Sequence, residues 1–177
     1  PDANYSGIGE ILVSVSDRFS SDSETLSVTV LGQNDAPIIE NIVNQTTDED
    51  TALVLSIVAA DVDDDALTYS ATSSTTDINV AVTDNQLTLT PANNFSGAAN
   101  ISVSVNDGTT TATDTFVFTV NGVNDAPVLE IPSSVTSNED TTLRFTLTAS
   151  DIDNSLLTYS AESDSSELQI TVVGPQL

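Results

Sequence analysis

The residues PDANYSGIGEILVSVSD from Pro1 return as PANNFSGAANISVSVND from Pro91, an offset of 90 positions that needs no gap. The same offset carries LGQNDAPIIE from Leu31 onto NGVNDAPVLE from Asn121, and DEDT from Asp48 onto NEDT from Asn138. It also carries ADVDDDALTYSA from Ala60 onto SDIDNSLLTYSA from Ser150. One register held through 177 residues makes the chain a tandem array of units of 90. The seam is the tetrapeptide NDAP, at Asn34–Pro37 and again at Asn124–Pro127. Proline lacks the N–H that a sheet ladder needs and restricts the residue before it, so the seam reads as a linker entering a new strand. The expected organisation is the C-terminal part of one unit (residues 1–35), a complete unit (36–125) and the N-terminal part of a third (126–177).

Within each unit the apolar period is two. Ile11, Val13 and Val15 alternate with small polar residues, as do Leu26, Val28 and Val30, and the same holds for Ile101, Val103 and Val105 and for Phe116, Phe118 and Val120. Alternation rich in Val and Thr places a strand's apolar side chains on one face, and no window carries a helical stripe. The complete unit reads as strands over 38–45, 52–59, 66–71, 78–82, 86–90, 100–106 and 114–121. Seven short strands in such a length predict an all-β, immunoglobulin-like sandwich, repeated end to end along the chain. Tyr69 and its counterpart Tyr159 are expected as core or corner residues.

Composition removes many functions. The chain has 27 acidic residues against two basic ones, a net charge of -25, and no His, Cys, Met or Trp. Lysine is absent too, since the two basic residues are Arg18 and Arg144. Without Cys or His the usual ligands for zinc, haem and iron–sulfur clusters are missing, and a Ser or Thr nucleophile has no ordinary base. No enzyme is expected. Two arginines cannot neutralise a run of phosphates, so nucleic acid is excluded as a partner, and no apolar stretch is long enough for direct membrane insertion. The hydrophobic fraction of 38% nevertheless separates the chain from acidic disordered segments.

The acids are clustered. They fall at Asp48–Asp50, at Asp61 and Asp63–Asp65, at Asp107 before a glycine, and at Asp35 in the seam, all of them strand ends or linkers in the expected fold. Carboxylates some 5 Å apart repel by roughly 3 kcal/mol per pair at an effective dielectric of 20, so several converging on one junction call for a cation. Calcium suits them, taking six to eight oxygen ligands. Asp22, Glu24, Asp77, Asp164 and Glu167 lie outside these clusters and read as solvated surface.

Glu49 near the end of the first strand, Asp61-Val62-Asp63, Leu67-Thr68-Tyr69, Asp107-Gly108 and the Asn124–Pro127 seam together resemble cadherin-like repeats, and more closely the VCBS and cadherin-like tandem repeats of giant bacterial surface adhesins. The resemblance implies a seven-stranded Greek-key sandwich with Ca2+ in the junctions between successive domains. It implies a first junction where Asn34 and Asp35 meet Asp61, Asp63 and Asp107, and a second where Glu49 meets Asn124, Asp125, Asp151 and Asp153. Asp17 and Glu139 match ligand positions for further junctions. At the domain base, where cadherins carry an acidic Asp-Arg-Glu type motif, this chain has Asn93-Asn94.

The reading that follows is a calcium-stiffened extracellular spacer or fibre segment of a large, secreted or surface-bound adhesin. The alternative is a calcium-dependent module binding carbohydrate or a copy of itself, although aromatics are only 5% of the chain and offer no evident sugar platform. Expected partners are neighbouring repeats, other copies in a fibre and, under the alternative, surface glycans. The first and last segments are complementary parts of one repeat, which suggests a window onto a continuous array.

Overall fold

In a computed structural model that describes residues 1–173, the chain divides into two compact units, Pro1–Gly122 and Val123–Leu177. The described residues contain strands, turns and irregular segments and no helix.

The first unit opens with a hairpin of β1 (Gly7–Ser16) and β2 (Ser21–Val30), paired antiparallel from Gly7 opposite Val30 to Ser16 opposite Ser21. The complete repeat follows with β3 (Ile38–Ile39), β4 (Gln45–Asp48), β5 (Leu53–Ser56), β6 (Ala59–Ala60) and β7 (Thr68–Ser73). It closes with β8 (Ile78–Thr83), β9 (Gln86–Pro91), β10 (Gly97–Asn106) and β11 (Thr111–Asn121). One sheet has the order β4-β11-β10-β7 and another β5-β9-β8, with β3 paired to β6 beside them. The repeat seen in sequence returns in the ladders: Gly97 stands opposite Val120 and Asn106 opposite Thr111, the β1–β2 register moved by 90.

Alternation builds the core. Ala99, Ile101, Val103 and Val105 of β10 and Phe116, Phe118 and Val120 of β11 point inward from one sheet. Ile78, Leu87 and Leu89 meet them from the other, and Tyr69 packs at the margin of this cluster as expected. A buried side chain of this kind contributes about 1.5–3 kcal/mol relative to exposure, and these residues carry the sandwich without a disulfide.

Two expected strands are divided. The 38–45 segment becomes β3 and β4, which pair in different sheets: β3 runs antiparallel to β6, whereas β4 runs parallel to β11. Side chains stitch the crossing. Asp114 accepts the N–H of Ile42 at 2.8 Å, and Asn44 accepts that of Val117 at 2.9 Å. The 52–59 segment is interrupted at Ile57, whose N–H bonds the Asn85 carbonyl and whose buried side chain enters the core.

Among its described residues the second unit has one ladder, β12 (Val128–Glu130) against β13 (Thr148–Ser150). It matches the β3–β6 pairing 90 residues earlier. Tyr159 is half-buried.

Candidate metal centre

The loop after β6 gathers carboxylates by a local backbone device. Asp64 has φ +60°, a left-handed conformation that Asp tolerates better than most residues. Around it Asp61, Asp63 and Asp65 offer carboxylate oxygens that all lie within 4.8 Å of one another. Asp61 Oδ1 accepts the N–H of Asp63 at 2.9 Å, but Asp61 Oδ2 is buried with no hydrogen-bond partner. A buried carboxylate oxygen without a donor is costly. With Asp63 and Asp65 beside it, Asp61 completes an all-oxygen donor set that suits a hard cation, so these residues can hold a metal ion.

The linker is tied to this loop. The backbone N–H of Asp35 donates to Asp63 Oδ2 at 2.8 Å. Its neighbour Asn34 donates through Nδ2 to the Asp35 carbonyl at 2.7 Å and to Asp107 Oδ2 at 3.0 Å. Two consecutive residues thereby join the acidic loop to the β10–β11 turn. The space beside Asp35 and Asp63, about 300 Å³, is bordered by Asn4, Tyr5 and Ser6 preceding the hairpin.

Asp107 is engaged differently. It is buried, and its Oδ1 accepts the N–H groups of Thr109 and Thr110, both at 2.6 Å. Its Oδ2 accepts the Thr110 hydroxyl at 2.6 Å as well as Asn34. The Thr110 hydroxyl, then the Asn34 amide and the Thr110 N–H, hold its carboxyl far below the ordinary carboxylate range. Asp17 repeats the turn in the hairpin: Oδ1 accepts the N–H groups of Phe19 and Ser20, both at 2.7 Å, and these bonds lower its pKa. Both aspartates close four-residue strand connections.

The second unit reproduces the loop and linker. Asp151 Oδ1 accepts the N–H groups of Asp153 at 2.9 Å and Asn154 at 2.6 Å, and the Asp125 N–H donates to Asp153 Oδ2 at 2.6 Å. Asn124 donates to the Asp125 carbonyl at 2.5 Å and accepts from Asn154 Nδ2 at 3.1 Å. Asn154 and Ser155 stand where the first loop has Asp64 and Asp65, so this loop has two carboxylates fewer.

Of the expected site residues, Asn34, Asp35, Asp61, Asp63 and Asp107 form one connected set, and Asn124, Asp125, Asp151 and Asp153 another. Glu49 is buried just after β4, its N–H bonded to the Asn121 carbonyl at 2.9 Å. Asp50 beside it has φ +57°, and Asp140 repeats that conformation beside the exposed Glu139. Asp65 belongs to the acidic cluster marked in the sequence but not to the expected ligand set, and Thr110 was not singled out at all. The i, i+2, i+4 spacing of Asp61, Asp63 and Asp65 was the available signal for the former, whereas nothing local marked Thr110.

The two-layer architecture and its linker define the complete repeat as an Ig-like β-sandwich module. Residues 34–121 match the family model described as Bacterial Ig domain, a span that runs from the seam Asn34 to the last residue of β11. No curated protein matches the chain. Among solved structures, human protocadherin-24 EC1-2 is 17% identical, with 66% of each chain covered and a TM-score of 0.45. Drosophila N-cadherin EC1-4 is 21% identical, over 72% of this chain and 36% of that one, at 0.43. An endo-fucoidan hydrolase of glycoside hydrolase family 107 is 17% identical over 68% of this chain, at 0.38, and the chain spans 20% of that enzyme's length.

Proposed function

We propose that the chain is a non-catalytic structural segment of an extracellular bacterial adhesin or surface filament, in which Ca2+ stiffens the joints between Ig-like repeats. The observation that carries this reading is the partnerless Asp61 Oδ2 within the Asp61, Asp63 and Asp65 group, fastened through Asp63 to the seam residue Asp35. Asp61, Asp63 and Asp65 would hold the ion, with Asn34, Asp35 and Asp107 fixing the linker beside them. The bound ion would supply positive charge where the chain has almost none of its own. Asp125, Asp151 and Asp153 are the equivalent set of the next repeat, with Asn124 beside them and Glu49, Asp17 and Glu139 as further candidate ligands. Without the ion the seam is a cluster of repelling carboxylates; with it, linker and loop become one rigid element.

The test is a thermal melt and small-angle scattering profile, with calcium and with chelator. Affinity in the extracellular-module range, about 0.1–1 mM, is expected. At free calcium of about 100 times the dissociation constant, one site adds about 2.7 kcal/mol. Calcium should raise the melting temperature and lengthen the particle, and Asp61→Asn with Asp63→Asn should remove most of the response at the first seam. An identical melt and scattering curve in chelator and in calcium would dismiss the proposal.

A further inference from the structure

The acidic loops of the two units are not copies. Asp61, Asp63, Asp64 and Asp65 put four carboxylates in the first, whereas the second has Asp151 and Asp153 followed by Asn154 and Ser155. The backbones part at the same place. Asp64 is left-handed at φ +60°, but Asn154 lies outside that region and its N–H folds back to Asp151 Oδ1 at 2.6 Å. The bond that seats the linker is nevertheless common to both. Asp35 N–H reaches Asp63 Oδ2 at 2.8 Å, and Asp125 N–H reaches Asp153 Oδ2 at 2.6 Å.

Asn154 adds what the first loop lacks. Its Nδ2 donates to Asn124 Oδ1 at 3.1 Å, joining loop to linker a second time through a neutral pair. An ionised carboxylate accepts hydrogen bonds and cannot donate them, so Asp64 has no such bond to offer Asn34. Charge points the same way. Four clustered carboxylates repel one another across the first loop and only two across the second, so a cation relieves less repulsion there. Calcium affinity is tuned by the charge of the ligand set, which makes the second loop the weaker binder as well.

We infer, resting on the reading of the first acidic loop as a cation site, that the two loops are fastened to their linkers by different means. A cation closes the Asp61–Asp65 loop on Asp35, and the Asn154 amide takes its place in the second loop, closing it on Asn124. Removal of calcium then frees Asp35 while Asp125 stays held. The chain responds to calcium at one linker and hardly at the next, and the residue after each DxD pair, Asp64 or Asn154, sets which mode operates.

Amide exchange, read residue by residue by NMR on the full chain, separates the two modes. The reporters are the Asp35 and Asp125 N–H groups, in chelator and in calcium at about 100 times the dissociation constant of the first loop. Calcium should slow exchange at Asp35 by up to about 100-fold and at Asp125 by less than about threefold. Asn154→Ala should speed exchange at Asp125 in chelator by about two- to tenfold, the worth of one hydrogen bond, and leave Asp35 unchanged. Asn154→Asp should make Asp125 respond to calcium, and Asp64→Asn should slow Asp35 in chelator. Equal calcium dependence at Asp35 and Asp125 of the parent chain would overturn the inference with the cation site intact. So would an Asn154→Ala variant whose Asp125 exchanges as in the parent. No calcium response at Asp35 would instead remove the cation site itself, and the inference with it.

Discussion

Replacing Asp65 by Asn tests the acidic loop most directly, because it removes one charge and leaves the shape. Its carboxylate lies within 4.8 Å of those of Asp61 and Asp63. At that separation each pair repels by between about 1 and about 3 kcal/mol, for effective dielectrics of 80 and 20. Asp63 and Asp65 are exposed, which favours the lower value, so relief of two pairs is worth about 2 kcal/mol at low salt. A Debye length of about 8 Å at physiological salt reduces this to about 1 kcal/mol. In chelator the variant should therefore melt higher than the parent, by about 4–8 °C for a domain of this size. In calcium the lost ligand cancels that gain, so the two proteins should melt at nearly the same temperature. A tenfold weaker site at calcium of about 100 times the parent dissociation constant contributes about 1.4 instead of 2.7 kcal/mol. The assay is calorimetry of both proteins in chelator and in calcium. A shift of the same sign and size in both conditions would refute a cation site and leave Asp65 an ordinary surface residue.

Asp107→Asn should destabilise the complete repeat at neutral pH. The native carboxyl has a depressed pKa, so its contribution is present above the unfolded value of 3.8 and is lost as pH falls below it; urea melts of both proteins from neutral to acid pH should converge at the acid end. Gly97→Ala should cost about 1–3 kcal/mol, since Gly97 has φ +153° and a Cβ there would meet Phe95 Cζ at 3.1 Å. Gly9→Ala, with open space around it and Ala99 as its counterpart, should change stability by less than about 0.5 kcal/mol in the same denaturant assay. Phe118→Ala empties a fully buried core position and should cost about 3–5 kcal/mol, read as a lower denaturant midpoint.

The period of 90 and the alternation of apolar residues were enough to mark the β10–β11 pair and the all-β class. Those signals are written along one dimension: a strand's inward positions are every second residue, whatever packs against them. The same alternation in β1 and β2 did not decide burial. Val13 and Val103 read alike in sequence, yet one is exposed and the other fully buried, because burial depends on a second sheet being present. The division of the 38–45 segment also escaped the pattern, since it is fixed by long-range bonds: Asp114 of β11 captures the segment's backbone at Ile42, and the segment's own Asn44 captures the backbone of β11 at Val117. The spacing of the acids placed them at strand ends, and the resemblance to cadherin-like repeats implied the pairing of the seam with the DxD loop. Which oxygens share one space was a tertiary matter. Asp64 in the left-handed region brings Asp65 to Asp61 and Asp63 and leaves Asp61 Oδ2 without a donor, whereas Thr110 and Asn34 saturate Asp107. Composition and spacing set how many carboxylates are available; backbone torsions and long-range hydrogen bonds decide which of their oxygens are left without a donor.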